Sequence, residues 1–401
     1  MEQITSENFD EIINNKAMTV VDFSATWCMP CRMLKPILEK VEEQFKDVKF
    51  YSLDIDESED VAKRYRIFFD NAASTSIGAE ALNEMMSVLT NVQGNSSSIH
   101  SYGREASRIL DDSRDVIAKT LNVKSNEIYF TASGSEANSW AIIGLAFANR
   151  MRGNHIITSK IEHESVLNAC KFLESNGFRV TYLDVDKNGF VNFADLLGAL
   201  RSSTILISIM AANNELGTIQ NLKAIGLTAR EKGIIFHTDA VQLYGHMELD
   251  VDDLGIDAMS ISSHKIHGPK GAGALYVSNK IKIDPLVFGG NQERGKRGGT
   301  IDVAAVAGFA KATEIAVRDI KTNNHKLREL SSYFVAKLTD AVEHIVFNAE
   351  TRQKLPNIVS VTFTGVDGES LLTKLDMDGV AVSTGSACTT NSLTVSHVMT
   401  A

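Results

Sequence analysis

The chain alternates short apolar runs with longer stretches in which apolar residues recur every three or four positions. Thr19–Ser24 and residues 48–53 are runs of strand length, and between them Met33, Leu34, Ile37, Leu38 and Val41 keep a helical spacing. Residues 1–67 therefore predict helix, strand, helix, strand and helix, with the acidic stretch 54–60 leading into the last of these. From Phe68 onward the texture changes. Strands are predicted at residues 127–131, 156–159, 179–183, 205–210, 234–238, 258–262 and 274–277, and helices at 135–149, 165–175, 193–200 and 224–231. Apolar strands alternating with helices predict a mostly parallel sheet covered on both faces. A long helical region, about 301–344, then precedes a smaller α+β segment with strands at 358–363 and 380–383 and a helix at 369–375. The expected division is an N-terminal segment 1–67, a large α/β domain 68–322 whose first residues go with the small domain, and a small domain 323–401.

Composition narrows the function classes. A length of 401 residues suits two or three domains, and a net charge of −10 argues against nucleic acid or an anionic membrane surface as principal partner. The first residues lack the pattern of a secretion signal, and no apolar run is long enough to span a bilayer. The four cysteines, Cys28, Cys31, Cys170 and Cys388, do not make a disulfide framework in a chain this long. A reducing cytoplasm is the expected location. Thiol chemistry is then the reason to weigh each cysteine.

Trp27-Cys28-Met29-Pro30-Cys31 follows a strand and opens a helix. A helix N-terminus lowers the pKa of the first thiol, and the second, one turn on, can resolve a mixed disulfide. A four-thiolate zinc site is excluded because no second cysteine pair exists, and no metal is expected. The run from Val20 to Cys28, with the later Pro36, resembles thioredoxin. That resemblance implies Cys28 as the attacking thiol, Cys31 as the resolving one and Asp22 as a buried acid beneath them. Arg66-Ile67 runs directly into Phe68-Phe69, so roughly the last two-fifths of the thioredoxin fold are expected to be absent.

Three further motifs fall at the carboxyl ends of predicted strands, where open α/β sheets place ligands. Ser262-Ser263-His264-Lys265-Ile266-His267-Gly268-Pro269 follows a strand and is too rich in Gly and Pro for a regular helix. Its Lys265 suits a Schiff-base amine, or else a solvated lysine in a polar loop. Asp239 ends another strand, where a carboxylate can pair with a protonated pyridine nitrogen or cap the next helix. Thr131-Ala132-Ser133-Gly134-Ser135-Glu136 is a strand-to-helix turn whose N–H groups make a phosphate cradle, compatible with a capping box of Ser133 and Glu136.

Together with Phe69-Asp70-Asn71-Ala72-Ala73, Ile161-Glu162-His163, Ala212-Asn213-Asn214-Glu215, His237-Thr238-Asp239-Ala240-Val241-Gln242 and Ser383-Thr384-Gly385-Ser386-Ala387-Cys388, these motifs resemble the type I pyridoxal-phosphate fold. More narrowly they resemble the cysteine desulfurases of the class-V aminotransferase group, from about Phe69 to the last residue. The resemblance implies pyridoxal 5'-phosphate held covalently by Lys265, with His163 stacked on its ring and moving protons. Asp239 would pair with the ring nitrogen, Gln242 would bond the ring oxygen, and Asn213 would face cofactor and substrate. Ser135, Ser262 and His264 would hold the phosphate, and Thr300 would reach the phosphate of a partner subunit, implying a homodimer. Cys388 would take sulfur from L-cysteine as a persulfide, release L-alanine and serve acceptor proteins in iron–sulfur assembly or another sulfur-transfer pathway. Cys170, inside a helical run, is expected to be a core residue. Desulfurases continue past Met399 into a segment with an Arg that grips the substrate carboxylate, so a C-terminally truncated small domain is expected.

Two other patterns compete and lose. Asp184-Val185-Asp186-Lys187-Asn188-Gly189 has calcium-loop spacing, but a strand enters it and its twelfth position is Asp195. Gly290 to Lys296 resembles a nucleotide P-loop, but Arg297 stands at the magnesium-binding hydroxyl position. A selenocysteine lyase or transaminase of the same fold, or a thiol redox or sulfur-relay protein with an inactive cofactor domain, are the alternatives to a desulfurase.

Overall fold

The structure is a computed structural model. It describes the chain apart from residues 16–17, 25–28, 46, 59, 62–66 and 386–395, and describes residues 29–34 by backbone alone. Two compact units emerge: Met1–Phe69 with Asp367–Val382, and Asp70–Val366 with Ser383–Ala401.

In the second unit β5 (Ile128–Thr131), β6 (His155–Ser159), β7 (Arg179–Leu183), β8 (Thr204–Ser208), β9 (Ile235–Asp239), β10 (Ala258–Ser262) and β11 (Gly273–Val277) form one seven-stranded sheet, ordered β5-β11-β10-β9-β8-β6-β7. The pairings from β10 through β7 are parallel, and β11 runs antiparallel to both its neighbours. Successive strand residues point to opposite faces, and here both faces are core. Ile157, Ile207 and Phe236 join one apolar cluster with Leu110, Ile117 and Phe309. Their neighbours Ile156, Leu206 and Ile235 join another with Trp140, Ile142 and Leu145. Continuous apolar strands follow from that arrangement.

Four of the connecting helices are α5 (Gly134–Asn149), α6 (Glu164–Ser175), α7 (Phe193–Ala199) and α8 (Leu222–Lys232), and the first two carry candidate site residues. Two earlier helices beyond those expected from the sequence, α3 (Ala79–Asn91) and α4 (Ser101–Thr120), pack on α9 (Val303–Arg318). The buried face of α4 is Gly103, Ala106, Leu110, Ser113, Arg114, Ile117 and Ala118, largely small or polar. The expected 301–344 helical region is α9 followed by α10 (Ile320–Ala341). Past it, β12 (Ile345–Phe347) pairs antiparallel with β13 (Val361–Phe363).

The first unit holds β1 (Glu2–Ile4), α1 (Ser6–Ile13), β2 (Thr19–Ser24), α2 (Met29–Gln44) and β3 (Lys49–Asp54), with a parallel sheet ordered β1-β3-β2. Its small core is Ile4, Phe9, Tyr51, Leu53 and Val61. β4 (Ile67–Phe68) pairs in parallel with β14 (Val380–Ala381), which follows α11 (Gly368–Met377). The helix expected near residues 61–65 lies mostly outside the described residues. Among the described residues no helix is long and apolar enough to cross a membrane.

The two competing patterns resolve into ordinary structure. Asp184 pairs with Lys160, and Asp186 Oδ1 accepts from the N–H groups of Asn188 and Phe190, both at 2.9 Å, in a turn closed by a Val185–Val191 bridge. In the P-loop-like stretch Glu293 and Arg294 adopt positive φ, 44° and 58°, and Glu293 forms a buried ion pair with Arg114 at 2.7 Å. Among the described residues no cluster of three or more His, Cys, Asp or Glu side chains is arranged to hold a metal ion.

Candidate active site

The parallel strands deliver their carboxyl ends to one edge of the sheet, and the loops leaving that edge build the site. β9 ends on Asp239, which is buried; β10 ends on Ser262, followed by a single 3-10 turn, Ser263–Lys265, where a regular helix was not expected. That turn brings Lys265 Nζ to the carbonyls of Ala72 and Ala73, at 2.5 and 2.8 Å. Gln242 Nε2 donates to the same Ala72 carbonyl at 2.9 Å. Lys265 and Gln242 thus meet on one strip of backbone, supplied from far upstream.

A hydrogen-bonded chain joins Asp239 to His163. Asp239 Oδ1 accepts from Val241 N at 2.9 Å, and its Oδ2 accepts from Asn138 Nδ2 at 2.6 Å. The same Asn138 nitrogen reaches Ser165 Oγ at 3.0 Å, and Ser165 Oγ lies 2.7 Å from His163 Nδ1. His163 caps α6 and accepts there from Ser165 N at 3.1 Å, which leaves the neutral ring's proton on Nε2. Asn138 and Ser165 were not singled out from the sequence. Asn138 lies two residues past the Thr131–Glu136 motif, one helical turn after Ser135, and that position was the available signal.

The phosphate-cradle turn forms as a helix start. Ser133 caps α5 by accepting from Glu136 N at 3.1 Å, while the Glu136 carboxylate takes Ala132 N at 2.8 Å and Arg297 Nε at 2.7 Å. Ser135 is exposed in the first turn of α5. Gly134 sits so close to β10 that an added Cβ would lie 2.7 Å from Val241 Cγ2 and 3.3 Å from Ser262 Cβ. Ser262 Oγ is buried with no hydrogen-bond partner among the described residues. A buried, unpartnered hydroxyl beside a helix N-terminus suits a phosphate, so these residues fit pyridoxal phosphate.

His264 pairs through Nδ1 with Ser74 Oγ at 3.2 Å, and burial followed by the charges of Lys265 and Lys270 pushes its pKa down to about 4. The ring is neutral at pH 7. His237, one strand in, is a core residue between Ser208 and Ser260, with burial pushing its pKa down to about 3.

Asn213 is fully buried and faces backbone: Nδ2 donates to Ile161 O at 3.0 Å, and Oδ1 accepts from Glu215 N and Leu216 N, both at 2.9 Å. It ties the loop after β8 to the loop after β6. Glu162, next to His163, is wholly buried; its Oε1 accepts from Ser159 Oγ at 2.6 Å and Met210 N at 2.9 Å. Burial pushes its carboxyl up to about 8, against those two hydrogen bonds.

Thr300 lies exposed after Gly299, whose N–H donates to Gln292 Oε1 at 3.2 Å. Asp22 is the buried residue of β2, where burial raises its carboxyl above the ordinary range and Oδ2 has no hydrogen-bond partner among the described residues. Cys170 is buried, and burial followed by the charges of Glu162 and Glu174 pushes its thiol up to about 12, so it stays protonated. Cys28 and Cys388 lie outside the described residues, and Cys31 is described by backbone alone.

Comparison with known proteins points the same way. Residues 67–401 match the family model of the aminotransferases of class V, and residues 1–69 match that of thioredoxin. The chain is 48% identical to a cysteine desulfurase IscS of Dictyoglomus turgidum over 84% of this chain and 85% of that protein. A putative cysteine desulfurase IscS 1 of Bacillus subtilis is 44% identical over 84% of this chain and 89% of that protein. Among solved structures, a NifS-like protein superposes with a TM-score of 0.79 at 36% identity, covering 84% of this chain and 89% of that one. SspA in complex with cysteine superposes with a TM-score of 0.74 at 37% identity, covering 83% of this chain and 93% of that one.

Proposed function

The chain belongs to the class-V aminotransferase family, among its pyridoxal-phosphate-dependent cysteine desulfurases, and from that premise we propose how its own residues take sulfur from L-cysteine. The observation that carries the assignment of residues is the meeting of Lys265 and Gln242 on the Ala72 carbonyl, beside the buried Asp239. Pyridoxal phosphate, when bound, supplies an electron sink for charge released at the α-carbon of an amino acid.

Lys265 is the amine that would hold the cofactor and then carry the proton taken from the substrate's α-carbon. The Ala72 and Ala73 carbonyls hold its Nζ in place. Asp239, fixed by Val241 N and Asn138, would present its carboxylate to the cofactor's ring nitrogen, and Gln242 would bond its ring oxygen. His163, oriented through Ser165 with its proton on Nε2, would stack on the ring. Ser135, Ser262 and His264 would hold the phosphate at the start of α5, His264 as a neutral donor. Asn213 would shape the loop wall facing cofactor and substrate.

Cys388 Sγ, as thiolate, attacks the sulfur of L-cysteine; the carbon–sulfur bond breaks, a proton goes to the departing carbon, and the products are L-alanine and a persulfide on Cys388. Acceptor proteins then remove the outer sulfur for iron–sulfur assembly or another transfer pathway. A homodimer in which Thr300 reaches the partner's phosphate, and a cytoplasmic location, complete the reading. The division proposed is 1–67, 68–322 and 323–401, with Cys28 and Cys31 as a redox dithiol in the first. The test is product formation from L-cysteine and a thiol: equal yields of L-alanine and sulfide are expected from the parent and none from Cys388→Ser. Full sulfur uptake by Cys388→Ser would overturn the role of Cys388, and pyruvate or amino-group transfer in place of alanine would overturn the reaction.

A further inference from the structure

Two residues past Lys265 the backbone turns left-handed at a residue other than glycine. His267 adopts φ of +63°, and its side chain is exposed. Such a conformation persists where the surroundings fix it. Here they are one strip of backbone from far upstream, residues 75–78. The His267 N–H donates to Thr75 Oγ1 at 2.8 Å, and Gly78 N donates to the His267 carbonyl at 2.8 Å. The His267 ring donates from Nδ1 to the Ser76 carbonyl at 3.0 Å.

Thr75 grips the turn on both sides of Lys265. Its Oγ1 donates to the His264 carbonyl at 2.8 Å while accepting from His267 N, and its own N–H donates to the same carbonyl at 2.9 Å. The hydroxyl thus serves as donor and acceptor at once, across the turn, and Thr75 is buried. The same strip begins with Ala72 and Ala73, whose carbonyls meet Lys265 Nζ. One upstream segment therefore holds the lysine at its tip and holds the backbone before and after it.

We propose that Thr75 is a positioning residue for Lys265: its hydroxyl ties the His264 carbonyl to the His267 N–H, locks the left-handed turn, and keeps the amine where pyridoxal phosphate attaches. A lysine amine swings on a flexible stem, so the backbone it hangs from decides where it can be held. Locking that backbone places the amine before the cofactor arrives, and reattachment after each turnover starts from the same place.

This inference rests on Lys265 being the attachment site, and the experiment separates the two. The full-length chain, freed of cofactor, is mixed with pyridoxal phosphate. Samples are reduced with borohydride at intervals, and the modified lysine is located and quantified by peptide mass. Thr75→Val keeps the branched shape but removes the hydroxyl, and is expected to slow labelling of Lys265 about tenfold, as when one hydrogen bond is lost and a buried partner left unmatched. Thr75→Ser keeps the hydroxyl and is expected to retain most of the rate. Thr204→Val is the control. It removes a buried hydroxyl that accepts from Arg201 N at 2.8 Å and pairs with His155 Nδ1 at 2.7 Å, at the amino end of β8, the opposite end of the strands from Lys265. It is expected to lower the urea midpoint and leave labelling at the parent rate. His267→Val and His267→Asn repeat the test without touching Thr75. A β-branched residue opposes the left-handed backbone and Asn tolerates it, so valine is expected to slow labelling and asparagine to spare it. Parent-like labelling in Thr75→Val would overturn the proposal and leave Lys265 as the attachment site. Equal slowing by Thr75→Val and Thr204→Val would overturn it too, since the hydroxyl would then act only through stability. Label on a lysine other than Lys265 would instead remove the premise.

Discussion

The seven-stranded and the three-stranded sheet of this chain treat the same kind of residue differently. In the seven-stranded sheet β6, β8, β9, β10 and β11 are buried at every residue, and adjacent side chains feed two separate cores. In the three-stranded sheet β2 buries Asp22 alone, and the core behind it is five buried residues. A sheet clamped on both faces holds its carboxyl edge rigid, which is what keeps the strand ends at Asp239 and Ser262 in fixed register. A small core orders a fold locally and stabilises it less.

Phe236 and Phe9 allow the same substitution in both, since each is fully buried. Phe236→Ala is expected to cost about 3–5 kcal/mol and to lower cofactor loading, because it opens a cavity beneath the strand that ends in Asp239. Phe9→Ala is expected to damage the β1-β3-β2 unit while leaving cofactor absorbance and alanine formation intact, since every residue grouped around Lys265 belongs to the other unit. Denaturant titration followed at the cofactor band distinguishes them. Cofactor loss from Phe9→Ala would break the comparison.

The large unit also stakes stability on a buried ion pair. Arg114 bonds Glu293 through both guanidinium nitrogens, at 2.8 and 2.7 Å, and donates to Ile128 O at 2.6 Å, while Glu293 Oε2 also takes Phe130 N at 2.8 Å. Arg114→Met leaves a carboxylate unpaired in the interior and is expected to cost about 3 kcal/mol or more. Adding Glu293→Leu is expected to recover a large part of that, since the unpaired charge goes with it. Equal stability of the single and double variants in urea would mean the pair contributes nothing beyond packing.

What the sequence made legible follows from the same contrast. The seven strands were readable to within one or two residues at either end because a strand buried on both faces is a continuous apolar run bounded by turns. Helix α4 was not, because Gly103, Ser113 and Arg114 interrupt the Ala106, Leu110 and Ile117 of its inward face. The short β12, with Val346 exposed at its centre, gave no signal either. Candidate site residues carried by local motifs, such as Asp239 with Gln242 and Ser262 with Lys265, could be picked out from those motifs and the resemblance they carry. Asn138 bonding Asp239, or the Ala72 carbonyl beneath Lys265, could not: these contacts join loops about a hundred or more residues apart, and a carbonyl leaves no letter in the sequence.

Glu162 gives the finest test of how dry the large unit is. Its carboxyl, ordinarily at 4.5, is pushed up to about 8 by burial. Between those two values the unfolded chain has lost the proton and the folded one keeps it, so stability falls as pH rises, by up to about 1.4 kcal/mol per pH unit, and levels off above about 8. Glu162→Gln removes the titration and keeps an oxygen to accept from Ser159 and Met210 N. The difference in urea midpoint between variant and parent is therefore expected to shift in the variant's favour as pH rises from 6 to 8. Parallel midpoints across that range would mean that water reaches Glu162 and that this end of the sheet is no drier than the Asp22 strand.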